Sequence, residues 1–104
     1  MNDKDLQKTA AEVGEILLQR SQMLALAESC TGGWLGQVAT AIPGSSRWFE
    51  RGFVTYSNLA KMQMLGVPEA VIRADGAVSQ AVVESMATGA LQHSAAQWSI
   101  SVSG

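Results

Sequence analysis

The chain has 104 residues, of which 47% are hydrophobic and 15% charged, and its formal net charge is −2. This length fits one domain with one modest core, and the acidic balance with scattered Lys and Arg argues against nucleic acid as the main ligand. One Cys and one His exclude an internal disulfide framework and leave no set of zinc ligands. The start, Met1-Asn2-Asp3-Lys4-Asp5, is polar, and no later apolar run approaches the roughly 18 residues that span a membrane. The expectation is a cytoplasmic protein that engages neither nucleic acid nor membrane. Its hydrophobic content is high for so short a chain, which points to further burial by a partner or by additional chain.

Asn2 or Asp3 caps a first helix running to about residue 20, with Leu6, Ala10, Val13, Ile16 and Leu17 at helical spacing. A first strand is expected over 23–27. The loop Glu28-Ser29-Cys30-Thr31-Gly32-Gly33 leads into a second helix over 34–41, broken by Pro43-Gly44-Ser45-Ser46. The second strand candidate is 52–56. Ser57 or Asn58 then caps a short helix ending before Gly66, and Pro68-Glu69 opens another to about 74. Ser79 caps a longer helix to about 94, with Val82, Val83, Met86, Ala87, Ala90 and Leu91 as its buried face. A third strand covers 98–102. Met62, Met64 and Met86 read as core filler. Strands alternating with helices give an α/β fold, with βαβ units and a largely parallel sheet.

Ligands in open α/β sheets sit beyond the carboxyl ends of the strands. That rim would carry Ser29, Cys30, Thr31, Tyr56, Asn58, Lys61 and Ser103. A small-residue loop before a helix offers outward N–H groups for an anion or an oxyanion, although a plain strand-to-helix turn accounts equally for Gly32 and Gly33. His93 reads as a solvated helix-end residue, so a serine on this rim needs a different base. A lysine serves when it is held unprotonated, and Lys61 is the basic side chain nearest the rim. Its alternative is an ordinary solvated helix lysine, and that of Tyr56 is an amphipathic strand-end residue. Cys30 beside a loop glycine reads as a buried, inert thiol. Glu28 is placed to orient a ligand hydroxyl or the lysine. The rim has no carboxylate or histidine cluster able to hold a metal, so no metal and no cofactor are expected.

Several motifs occur in order: Ala-Glu-Ser-Cys-Thr-Gly-Gly (27–33), Pro-Gly-Ser-Ser (43–46), Phe-Val-Thr-Tyr-Ser-Asn (53–58) with Ala60-Lys61, Leu65-Gly66-Val67, and Gly76-Ala77-Val78-Ser79. In these the chain, from about residue 5 to 104, resembles the CinA C-terminal family, which includes bacterial nicotinamide-nucleotide amidases. The resemblance implies a three-layer α/β/α sandwich, and 1–104 as a single domain corresponding to the N-terminal two thirds of the family domain, truncated after its third strand. It also implies hydrolysis of the carboxamide of nicotinamide mononucleotide, releasing ammonia, in pyridine nucleotide recycling. The family serine falls on Ser29, its lysine on Lys61 and its tyrosine on Tyr56. Glu28, Cys30, Thr31, Gly32, Gly33, Asn58, Ser103 and Gly104 fall on segments lining the substrate pocket. Leu59 stands where the family usually carries an acidic residue. A reading from a different class is a non-catalytic nucleotide-binding or interaction module. Strand three is expected inside a complete sheet. The 104 residues are therefore expected either as part of a longer polypeptide or as a homo-oligomer that covers the exposed edge.

Overall fold

A computed structural model describes residues 2–104. Asn2 caps α1 (Asp3–Gln19) through a capping box, its side chain accepting from the Asp5 N–H while Asp5 reaches back to the Asn2 N–H. β1 (Leu24–Glu28) follows, and all five of its residues are buried. That continuous burial is what a central parallel strand covered on both faces requires. α2 (Trp34–Thr40) carries the chain to a 3₁₀ turn at Ser45–Arg47 and into β2 (Phe49–Val54). α3 (Asn58–Leu65), α4 (Glu69–Asp75) and α5 (Gln80–Gln92) come next, and β3 (Trp98–Val102) ends the sheet. Ser57 and Ser79 cap α3 and α5, accepting from the N–H of Ala60 and Val82.

The sheet is parallel, in the order β2-β1-β3. Glu28 at the end of β1 lies opposite Val54 on one side and Val102 on the other, so the three carboxyl ends share one rim. β2 begins and ends earlier than the sequence suggests. The Leu24 N–H donates to the Trp48 carbonyl at 2.7 Å, and this contact sets the register. Tyr56 is therefore left beyond the strand. Within the described residues β3 is an edge of the sheet, with Trp98 and Ile100 half exposed.

Side-chain alternation along β1 divides the core in two. Leu24 and Leu26 pack with Leu17, Ala39 and Trp48 under α1 and α2. Ala25 and Ala27 pack with Phe53, Leu65, Val67, Val82, Met86 and Ala90 under α3 and α5. These are the three layers of an α/β/α sandwich. Met86 is core, as expected, whereas Met64 and Leu91 are exposed: they fall on the outward stripes of α3 and α5. An apolar groove of ≈ 240 Å³, lined by Val13, Ile16, Leu17, Leu24, Trp98 and Ile100 among others, separates α1 from β3. Among the described residues, no helix is long and apolar enough to cross a membrane.

Three contacts fix the α3/α5 layer. Gly89 on α5 lies so close to α3 that a Cβ there would overlap the Leu65 carbonyl oxygen. On the sheet side, the Ser99 and Ser101 hydroxyls donate to the Ala87 and Val83 carbonyls of α5, at 2.8 and 2.6 Å. The α5–β3 connection is held from β2. Arg51 donates to both carboxylate oxygens of Glu50 and to the His93 carbonyl, and Glu50 also accepts from the Ala95 N–H. The hydrogen bond from Arg51 holds the Glu50 carboxyl below its ordinary range, against the opposing effect of burial.

Gly89→Ala is expected to destabilise the fold by about 3 kcal/mol, since overpacking against a backbone carbonyl cannot be relieved by rotating a side chain; thermal denaturation measures this. Because the Glu50 value is lowered on folding, its contribution is full above the ordinary glutamate pKa of about 4.3 and is lost as pH falls through the lowered folded value. Denaturant titrations at pH 7 and pH 3 are expected to show a smaller acid loss for Glu50→Gln than for the wild type. Equal losses would show that the clip carries no pH dependence.

Candidate functional site

Ser29 follows directly on β1 and continues its alternation. It falls on the Ala25–Ala27 side, the face covered by α3 and α5, while Glu28 falls on the α2 side. Lys61 lies in the middle of α3 and is one of the largest buried side chains of the chain. Ser29 and Lys61 are each 2% exposed, so the solvated-lysine alternative does not hold. Among the described residues neither polar tip takes a hydrogen bond from or gives one to the protein, and Lys61 has no ion pair. Ser29 directly after β1 and Lys61 in the helix that follows β2 are thus both buried polar residues of this fold.

Tyr56 is not drawn into this arrangement. It is 75% exposed, and no hydrogen bond joins it to Ser29 or Lys61. The physical reason is the early end of β2 at Val54, which places Tyr56 in the connection to α3. Thr55, one residue earlier, turns inward. It is fully buried, with its N–H and its hydroxyl both directed at the Glu28 carbonyl, at 2.7 and 3.3 Å. Cys30 is exposed, contrary to the buried thiol expected, because the chain leaves the sheet immediately after Ser29.

Glu28 departs furthest from expectation. Its carboxylate does not face a ligand. Oε1 accepts from the Thr31 hydroxyl at 2.8 Å and from the Leu35 N–H at 2.7 Å, and Oε2 accepts from the Gly36 N–H at 2.9 Å. The first turn of α2, expected to offer free N–H groups to an anion, is thus occupied by the protein's own carboxylate, which complements the positive end of the helix. Gly33 makes the turn possible. It stands before α2 at φ 107°, in the left-handed region, with Val54 beside it. The amides of Cys30, Thr31 and Gly33 have no partner among the described residues and remain as donors in the loop.

The remaining predicted residues are spread along the rim. Asn58 is exposed and, with Met62, Glu69, Ile72, Arg73 and Ala77, lines an open cleft of ≈ 380 Å³. The Ser103 hydroxyl donates to the Ala77 carbonyl at 3.2 Å, and Gly104 sits against Val78; both pack on the 76–79 turn. Leu59 is exposed on the outer side of α3. Among the described residues, no group of three or more His, Cys, Asp or Glu is disposed to hold a metal ion. Thr55 is the site neighbour that sequence reasoning missed. Its signal was the Thr inside Phe-Val-Thr-Tyr-Ser-Asn, a polar residue beside an apolar strand end.

Residues 6–104 match the CinA C-terminal domain family. The chain is 52% identical over 104 residues to the nicotinamide-nucleotide amidohydrolase PncC of Escherichia coli K12, covering 100% of this chain and 63% of that protein. It is 50% identical over 95 residues to PncC of Pseudomonas putida, covering 91% and 59%. The crystal structure of the competence/damage inducible protein CihA from Agrobacterium tumefaciens superposes with a TM-score of 0.94 at 39% identity, over 100% of this chain and 62% of that one. A CinA superfamily protein from E. coli gives 0.94 at 33% identity, over 100% and 61%. The chain thus spans less than two thirds of the length of these relatives. With the family match over residues 6–104 and solved relatives superposing on the whole chain, the chain belongs to the CinA C-terminal domain family.

Proposed function

We propose that this chain contributes the serine and the lysine of a nicotinamide-nucleotide amidohydrolase, acting on the carboxamide of nicotinamide mononucleotide. The observation that carries the reading is that Ser29, directly after β1, and Lys61, in the helix that follows β2, are both buried polar side chains. The names of the relatives supply the substrate.

In this reading the Ser29 hydroxyl attacks the carboxamide carbon while the Lys61 amine accepts its proton. The oxyanion that forms is held by loop amides, for which Cys30, Thr31 and Gly33 are the free donors. The C–N bond then breaks. Lys61 returns the proton to the departing nitrogen, and ammonia leaves behind an ester on Ser29. Water attacks that ester, Lys61 takes a proton from it, and the Ser29 oxygen departs with a proton from Lys61, releasing nicotinate mononucleotide. Every step uses side chains and amides of this chain, and no metal or cofactor is required. Tyr56, exposed in the structure, would join only by moving towards the rim when substrate binds.

One observation favours the alternative of a nucleotide-binding module without turnover. No hydrogen bond joins Ser29 to Lys61, and Tyr56 stands in solvent. Ammonia release from nicotinamide mononucleotide separates the two readings, measured on this chain with a full-length relative as positive control. Binding without release would favour the module.

Given turnover, Ser29→Ala is expected to lose at least about 10³-fold in kcat, the scale for removing a nucleophile. Lys61→Met is expected to lose a comparable amount. Cys30→Ser is expected to retain most of the activity. A thiol reagent that inactivates through Cys30, with protection by substrate, would move the nucleophile from Ser29 to Cys30.

A further inference from the structure

We propose that Glu28 is a positioning residue for Ser29 and not a ligand for the substrate. Both of its carboxylate oxygens are already engaged inside the protein. Oε1 takes the Thr31 hydroxyl and the Leu35 N–H, and Oε2 takes the Gly36 N–H. The residue is 2% exposed and lies on the α2 side of the sheet, opposite the face that carries Ser29 and Lys61. Its backbone is held as well. The Glu28 carbonyl accepts from the Thr55 N–H at 2.7 Å, and the next amide, that of Ser29, donates to the Val102 carbonyl at 3.1 Å.

These bonds close a ring. The chain leaves β1 at Glu28, turns through 29–33 with positive φ at Gly32 and Gly33, and enters α2, whose first turn is fastened back to the Glu28 side chain. Ser29 is the first residue inside the ring, and the free loop amides lie within it too. The conformation of the loop therefore depends on three bonds to one carboxylate. A carboxylate is needed because all three partners are donors; a carboxamide would turn its own N–H₂ towards one of them. Charge-assisted bonds of this kind are stronger than neutral ones, and burial raises the cost of leaving any of the three unmade.

The kinetic consequence rests on the amidohydrolase reading; the structural one does not. The experiment compares the wild type with Glu28→Gln in two measurements. One is steady-state ammonia release from nicotinamide mononucleotide, expressed per folded molecule. The other is amide hydrogen exchange across residues 30–36. Expected for Glu28→Gln is a fall in kcat of about 10- to 100-fold, the scale of a nucleophile displaced by about an ångström, with KM changed by less than about 3-fold. The Leu35 and Gly36 amides are expected to exchange about 10-fold faster or more. A purely structural role would lower the melting temperature and leave kcat per folded molecule unchanged. A rise in KM with kcat retained would make Glu28 a substrate ligand. Either result overturns the proposal, as does unchanged exchange at Leu35 and Gly36 in a folded variant.

If Glu28→Gln does not fold, Thr31→Val removes one of the three bonds and carries the same test. It is expected to show a smaller fall in kcat and faster exchange at Gly32, Leu35 and Gly36, and the absence of both overturns the proposal. If the wild type binds nicotinamide mononucleotide and releases no ammonia, the reading of this chain as a binding module without turnover is favoured. The exchange measurement then decides alone whether Glu28 holds the loop.

Discussion

The central strand β1 is the constraint on which the rest of this molecule depends. Among the described residues it is the one strand paired on both sides, and each of its five residues is buried. Because alternate side chains point to opposite faces, its sequence assigns partners to both helical layers at once. Leu24 and Leu26 fill the α1/α2 layer, and Ala25 and Ala27 accept the α3/α5 layer. The two alanines are small, so that layer comes close to the sheet. The same alternation, continued by two residues, sends Glu28 one way and Ser29 the other. A one-residue slip of this strand would exchange both layers and reverse the two polar side chains.

Several elements were legible in the residues. The β1–loop–α2 unit, the caps at Asn2, Ser57 and Ser79, and the whole of β3 follow from local rules, because a capping hydroxyl or a β-branched run acts over a few residues. The burial of Lys61 was not legible. α3 is short and only weakly amphipathic, and it is buried by packing on α5, which is distant in sequence. The start of β2 was misjudged for a similar reason. It is set by the contact between Leu24 and Trp48, a pairing that β-propensity within 49–56 does not encode.

The fate of Glu28 shows how a motif can be recognised and its chemistry still misassigned. Ala-Glu-Ser-Cys-Thr-Gly-Gly reads naturally as an anion site, since it joins a glycine turn to a helix start. The structure fills that helix start from within. The sequence signal was present: an acidic residue seven positions before Leu35, with two glycines between to turn the chain. Choosing between an external anion and an internal carboxylate required the face on which Glu28 lies, which depends on the strand's phase and not on the motif.

The double attachment of α5 has a consequence for motion. On one side Gly89 rests against the Leu65 carbonyl, and on the other the Ser99 and Ser101 hydroxyls hold the Ala87 and Val83 carbonyls. A helix gripped in this way cannot glide along its axis without losing both hydroxyl bonds, nor roll without driving its backbone into its neighbour. α5 is therefore fixed against both of its neighbours. Any movement on this side of the molecule must come from the connections between elements, with the helix serving as a fixed abutment.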